Sequence, residues 1–252
     1  MAQRTSTVIA ARDAAFAAMS EGFRLIDLTD ALGSETILWP GAPPLEIVDA
    51  VTHDTHGYHA RVLTTFEHAG THFDAPEHFV PGGADTASIS IDDLVVPAVV
   101  IDISEKAETN PNTVVKPDDV VAFEKEHGAI PAGSAVLMFS GWARRKSNAL
   151  SYIGSESTTD LKFPGFGVEA ARMLVDRGVV GLGVDTLGID PGDKPDFPVH
   201  RTVSHPAGLW HLENLINLEQ LPATGGVIVV GVPRIAGGTG FPTRVFAFVP
   251  KQ

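Results

Sequence analysis

Cysteine is absent from this chain of 252 residues. Its absence excludes a disulfide scaffold, a cysteine-ligated zinc or iron–sulfur centre and a thiol nucleophile. Positive charge is also scarce, because 18 Lys and Arg residues face 31 Asp and Glu residues and leave a formal net charge of −13. Such a chain lacks the basic surface that binds a phosphate backbone, so we expect no nucleic-acid partner.

Long apolar runs are missing as well. No run approaches the ~20 residues of a membrane-spanning helix, so we expect no membrane partner. The alanine-rich first 22 residues contain Asp13 and Glu21 and lack the apolar segment of a signal peptide, which favours a cytoplasmic location. We expect an amphipathic helix over residues 9–20, within an N-terminal helical arm over residues 1–22. Residues 23–252 are enough for one domain with its own core.

Short valine-rich runs of β type, bounded by Gly, Pro or Asp, recur along the chain. They are Leu25–Leu28, Val62–Phe66, Val95–Ile103, Ala135–Ser140, Val179–Val184, Val227–Val232 and Val245–Val249. Helical patterns cover Asp118–His127 and Val168–Arg177, each followed by glycine. A third helix or turn is expected at Leu212–Leu218. Strands mixed with few helices predict a single α/β domain with mixed β-sheets and flanking helices.

Histidine is the residue type that stands out against these absences. Six of the ten histidines fall within residues 53–78, and His200, His205 and His211 form a distant second group. The polar stretch that holds His53, His56 and His59 has the composition of a solvated loop. Without cysteine, any transition metal must be held by imidazole and carboxylate groups.

The segment from His68 to His78 combines such groups at an informative spacing. His72 and Asp74 point to one face of an extended strand, because side chains alternate along a strand. A turn at Gly70 can fold His68 back beside His72. Two imidazoles and a carboxylate at one point suit Zn or Mn. A single His–Asp pair is often only a hydrogen bond, but a cluster this dense indicates a metal or catalytic site.

The pattern His68-x-Gly-Thr-His72-x-Asp74-Ala-Pro-x-His78 resembles the signature of the cyclase-like metal-dependent hydrolases, a family that includes bacterial kynurenine formamidase and isatin hydrolase. Further segments resemble that family in the same order along most of the chain. They are Asp27–Thr29, Trp39–Gly41, Gly183–Thr186, Asp190–Gly192, Phe197–Arg201, Leu212–Leu215, Gly237–Gly240 and Arg244–Phe246. The resemblance implies a cyclase-like fold of the swivelling β/β/α type.

The resemblance also implies roles for individual residues. His68, His72 and Asp74 resemble the ligands of a first divalent metal, Zn or Mn, and Asp74 would bridge to a second ion where two are bound. His200 resembles the histidine ligand of that second ion, and Glu213 resembles the family's late metal-binding carboxylate.

The interval from His200 to Glu213 is one residue longer than the family pattern, so His205 stays an alternative to His200. His78 resembles the family's proton donor and acceptor, and Trp39 the aromatic residue that contacts substrate. The resemblance further implies a homodimer or homotetramer.

Three functions are compatible with this pattern. A divalent cation lowers the pKa of water from 15.7 towards about 7, which favours hydrolysis of a small aromatic amide or lactam such as N-formylkynurenine or isatin. The same site can open a lactone or another cyclic ester. The third possibility, a metal-binding protein without activity, would require that the proton-transfer residue be missing, whereas His78 is present.

Overall fold

The computed structural model describes residue 17, residues 21–156 and residues 159–251. The predicted arm over residues 1–22 lies outside the described residues, except for Ala17, Glu21 and Gly22, and stays a prediction. The described part forms one α/β domain with a large mixed sheet and flanking helices, which confirms the predicted fold class.

The strands in chain order are β1 (Phe23–Asp27), β2 (Glu46–Val51), β3 (Ala60–Thr64), β4 (His72–Asp74), β5 (Val95–Asp102), β6 (Val114–Val115), β7 (Ala135–Phe139), β8 (Gly165–Phe166), β9 (Gly181–Val184), β10 (Trp210–Glu213), β11 (Gly226–Gly231), β12 (Gly240–Pro242) and β13 (Arg244–Pro250). The α-helices are α1 (His53–His56), α2 (Ser104–Thr109), α3 (Pro117–His127), α4 (Ala149–Ile153) and α5 (Val168–Asp176). Short 3-10 turns lie at Pro76–His78, Ile91–Leu94, Trp142–Arg145 and Leu218–Gln220, and a π-helical turn at His200–Ser204. Among the described helices, none is long and apolar enough to cross a bilayer.

A nine-stranded sheet forms the centre of the domain, in the order β1-β13-β11-β5-β7-β9-β10-β4-β12. Four adjacent strands in the middle of the sheet run parallel to one another, namely β5, β7, β9 and β10. The flanking strands pair antiparallel, including β4 with both β10 and β12. Two small sheets, β2-β3 and β6-β8, lie outside this order.

The central sheet separates two hydrophobic cores, because the side chains of each strand alternate between its faces. In β7, Ala135 and Leu137 belong to a core built with β1, β11 and β13. Val136 and Met138 face the other core, which helices α3 and α5 cover. The buried parallel strands β5, β7 and β9 are therefore nearly continuous apolar runs in the sequence.

The predicted elements agree with the structure with one exception. All seven β-type runs coincide with strands of the structure, and the two helical patterns coincide with α3 and α5. The helix or turn expected at Leu212–Leu218 is wrong, because this segment starts inside strand β10. Its sequence Trp-His-Leu-Glu does alternate, with Trp210 and Leu212 in the first core and the two polar residues on the other face, but four residues are the shortest run in which alternation can indicate a strand.

The hairpin β2-β3 stands apart from the central sheet and exposes every residue of β3. The connection between its strands contains the short helix α1. His53, His56 and His59 are exposed there, as expected for a solvated polar segment.

Candidate metal centre

Strand β4 and its two neighbours bring the predicted ligands together. The antiparallel register with β10 sets Glu213 opposite His72, so both side chains lie on the same face of the sheet. On the other side β12 sets Gly240 opposite Asp74. Phe73, between the two ligands, points the other way and is fully buried in the core.

His68 reaches this face through the turn that was predicted at Gly70. Gly70 has φ +61, in the left-handed region that favours glycine. The turn places Nδ1 of His68 2.7 Å from Oδ1 of Asp74. A Cβ atom at Gly240 would lie 2.6 Å from Cε1 of His68, so the glycine leaves the space that the imidazole occupies.

His200 comes from the π-helical turn, far along the chain. Its Nδ1 donates to Oδ2 of Asp190 at 2.6 Å, and Asp190 also accepts from the backbone N–H of Val199 at 2.7 Å. These bonds direct Nε2 of His200 inward, 3.6 Å from Oδ2 of Asp74 and 3.5 Å from Oε1 of Glu213. A carboxylate behind a ligand histidine commonly fixes its tautomer and its orientation.

His72 has a fixed tautomer as well. Its Nδ1 lies 2.8 Å from the carbonyl oxygen of Gly70, which can only accept, so Nδ1 carries the proton. Nε2 then presents a lone pair 3.1 Å from Oδ1 of Asp74 and 3.3 Å from Oε2 of Glu213. This buried nitrogen makes no hydrogen bond to the described residues.

A chain of hydrogen bonds sets the tautomer of His68. Thr239 donates its hydroxyl proton to Oε2 of Glu67 at 2.5 Å, so the hydroxyl oxygen must accept from Nε2 of His68 at 3.0 Å. Nδ1 of His68 is therefore left with a lone pair that faces Asp74. Glu67 and Thr239 were not among the predicted site residues, although they adjoin the histidine motif and Gly240.

These donor atoms fit one or two divalent cations. Oδ1 of Asp74 faces the lone pairs of His68 and His72, and Oδ2 faces that of His200. Ligand atoms of a tetrahedral ion, each about 2.1 Å from it, lie about 3.4 Å apart. The separations here run from 2.7 to 3.6 Å. At these distances an imidazole lone pair and a carboxylate oxygen repel each other unless a proton or a cation lies between them.

The electrostatics of the cluster favour a cation. Burial disfavours a charged imidazole, but Asp74 and Glu213 outweigh it and raise the pKa of His72 to about 10. The pKa of His200 is raised well above its usual value, again against burial, by Asp190, Asp74 and Glu213. The carboxylates thus hold protons on neighbouring rings, and a bound cation would replace those protons.

His78 follows β4 in a 3-10 turn and stacks on His68, with ring centroids 3.8 Å apart and an interplanar angle of 23°. Burial lowers the pKa of His78 to about 4, so the ring is neutral at pH 7. Lone pairs of imidazole lie in the ring plane, and two stacked rings cannot both direct them at one ion. Ligand atoms of His68, Asp74 and His78 also lie within 4.8 Å of one another, and the role of His78 as proton carrier stays a prediction.

His205, the alternative to His200, lies behind it, with ring centroids 5.3 Å apart. Its Nδ1 donates to the carbonyl oxygen of Leu209, and its ring stacks on His211 at 4.1 Å. Ligand atoms of Asp74, His200, His205 and His211 all lie within 4.8 Å of one another. The parallel rings of His205 and His211 cannot share an ion, whereas His200 faces both carboxylates.

A cavity of about 270 Å³ opens above these ligands. Its lining includes the donors from both strands and the π-helical turn, and its walls are aromatic. The aromatic residues are Trp39, Phe66, Phe79 and Phe197. Trp39 is half-buried, with its ring 5.5 Å from that of Phe197. Trp39 was the one aromatic residue predicted for the site, although Phe66 lies two residues before the histidine motif and Phe79 directly follows it, so both could have been found there.

Carboxylates and fixed-tautomer imidazoles at the floor of an aromatic-walled cavity, within this fold, define a metal-dependent hydrolase. The match to known proteins agrees with that class. The Cyclase family model matches residues 26–191, and the chain belongs to this family.

The chain resembles characterised members along most of its length. It is 31% identical to the isatin hydrolase of Roseibium aggregatum over 92% of this chain and 94% of that enzyme. It is 27% identical to the kynurenine formamidase of Salinibacter ruber, covering 87% of this chain and 95% of that enzyme. A crystal structure of an isatin hydrolase bound to the product analogue thioisatinate superposes with a TM-score of 0.87 at 29% identity, with both chains fully covered. The prediction of a metal-dependent hydrolase of this kind is confirmed.

Proposed function

We propose that the chain hydrolyses the C–N bond of a small aromatic amide, either an N-formyl aryl amine such as N-formylkynurenine or the lactam ring of isatin. The observation that carries this proposal is the aromatic wall of Trp39, Phe66, Phe79 and Phe197 directly above the metal ligands. Flat aromatic substrates pack well against such rings. The names of the relatives, isatin hydrolase and kynurenine formamidase, support the same substrate class.

The cation we propose is Zn or Mn, since imidazole and carboxylate ligands accept both. His68, His72 and Asp74 would hold a first ion, and Asp74, His200 and Glu213 a second. When bound, such an ion polarises a carbonyl group and lowers the pKa of water towards about 7.

The side chains of the chain perform the remaining steps. Trp39 and Phe197 hold the aryl group, which presents the amide to the floor of the cavity. Neutral His78 accepts a proton from the attacking water as the O–C bond forms. It then donates that proton to the amide nitrogen as the C–N bond breaks. The products are a carboxylate and an aryl amine.

A substrate panel with metal analysis tests this proposal. We expect the purified, metal-loaded protein to cleave N-formylkynurenine or isatin. Thorough removal of the metal should abolish the activity, because imidazole and carboxylate groups cannot take over the metal's role of polarising the carbonyl group. Adding back Zn or Mn separately should restore it, and elemental analysis gives the identity and number of the ions.

The panel also includes an aryl lactone as the competing bond type. Turnover of the lactone alone would contradict the amide proposal and support the cyclic-ester alternative. Activity that survives complete metal removal would contradict the role of the metal. Metal binding without turnover of any compound would favour the non-catalytic alternative.

We further propose a homodimer or homotetramer in which the β2-β3 hairpin packs on a second copy of the chain. The hairpin exposes Val48, Val62 and Leu63 to 60%, 57% and 50%. An isolated two-stranded hairpin is marginally stable in water, and clustered apolar side chains mark interaction surfaces. The expected cytoplasmic location and the absence of a nucleic-acid partner stay predictions.

Light scattering tests the assembly. We expect a mass of two or four chains for the wild type, and a lower mass for Val62→Lys because the charge would be buried at the interface. Val121→Lys on α3, where the side chain is 52% exposed, is the matched control and should keep the wild-type mass. A monomeric wild type at micromolar concentration would contradict the proposal.

A further inference from the structure

Arg201 follows the predicted ligand His200 directly and extends from the π-helical turn to the mouth of the cavity. Its side chain lines the cavity and is exposed, whereas the metal ligands at the floor are buried or half-buried. The guanidinium carbon lies 5.2 Å from the centroid of the Phe79 ring. That contact holds the charge against an aromatic wall.

Arg201 is the one Lys or Arg side chain among the described residues that line this cavity. It forms no ion pair with any described Asp or Glu side chain. The acidic residues of the lining are engaged elsewhere, since Asp190 holds His200 and Asp74 and Glu213 face the donor imidazoles. The guanidinium group is therefore free to bind an anion from the cavity.

Arg201 is notable because the molecule as a whole is strongly acidic. The chain carries a net charge of −13, which repels anionic ligands from the cavity mouth. A planar guanidinium group binds a carboxylate through two parallel hydrogen bonds. An unpaired arginine between an aromatic wall and solvent thus matches an aromatic ligand with a carboxylate at its far end.

We propose that Arg201 forms a subsite for a carboxylate that the aryl part of the substrate carries, at the cavity mouth and away from the scissile amide. This inference rests on the proposed function, because it takes the amide to be cleaved at the cavity floor. It selects one substrate class among those proposed. An N-formyl aryl amine with an anionic side chain is preferred over a neutral lactam such as isatin.

Binding of two probes to the metal-loaded protein tests the subsite without turnover. The probes are kynurenine, an aryl amine with a carboxylate, and 2-aminoacetophenone, which lacks the amino-acid group. Calorimetry gives the ratio of their dissociation constants. We expect Arg201→Met to reduce the preference for kynurenine by about 10- to 100-fold, the range for one charged hydrogen-bonded contact. Arg201→Lys should recover part of it.

Arg172→Met is the matched control, because Arg172 is an exposed arginine of α5 that pairs with Glu169. It should leave the ratio unchanged. A wild type without a preference for kynurenine overturns the subsite, and so does an Arg201→Met variant with an unchanged ratio. An unchanged ratio in the Arg201→Met variant would mean that the metal, and not Arg201, binds the carboxylate. Failure to cleave any amide would contradict the proposed function alone, because the binding ratio is read without turnover.

Discussion

Replacing Asp74 with asparagine should remove both the bound metal and the activity. Its Oδ1 faces His68 and His72, and its Oδ2 faces His200, so this one carboxylate serves both halves of the centre. Changes in residues behind a metal ligand cost about 10- to 100-fold in metal affinity, and loss of the shared ligand should exceed that range. Metal content by elemental analysis and kcat/KM on the preferred amide measure the two effects.

The asparagine variant has nearly the same shape as the wild type, so the fold should persist; circular dichroism and thermal unfolding check this. Asp118→Asn in the first turn of α3 is the matched control, since Asp118 is exposed and remote from the cavity in sequence and fold. Full metal content in the Asp74→Asn variant would contradict the proposed role of Asp74 as a shared metal ligand.

Replacing His78 with glutamine should abolish most turnover and leave the metal in place. The ring stacks on His68 and is kept neutral at pH 7, because burial lowers its pKa to about 4. Loss of a general acid and base costs about 10²- to 10⁴-fold in kcat. The expected result is a fall in kcat within that range at unchanged metal stoichiometry.

The control for this variant is His127→Gln at the C-terminal end of α3, outside the lining of the cavity. Loss of the metal from the His78→Gln variant would make His78 a ligand and refute its assignment as proton carrier. An unchanged kcat with full metal content would show that another group carries the proton.

The local part of the site was predictable because short-range geometry determines it. His72 and Asp74 share a strand face through the alternation of side chains, and Gly70 supplies the turn that returns His68. These relations hold over a few residues and do not depend on the rest of the fold. The same reasoning found the long buried strands and the two helices that cap the second core.

The distant part was not predictable from periodicity. Glu213 lies in β10, which was expected to start a helix or turn, since its apolar–polar alternation spans only four residues. Its position opposite His72 depends on pairing between strands that are far apart in sequence. Sequence reasoning could name His200 and Glu213 only through a family resemblance, and it left His205 open as an alternative to His200.

The sequence by itself determined the donor chemistry of this protein. It has no thiolate, and it has a dense group of imidazoles and carboxylates in one short segment that also contains His78. Only the tertiary structure decided which atoms of these groups face one another. The tautomers depend on Glu67, Thr239, Gly70 and Asp190, and the free guanidinium of Arg201 depends on where the π-helical turn meets Phe79. Apart from the local contact of Gly70 with His72, these contacts join residues that no local pattern relates, because packing of the whole sheet sets their distances.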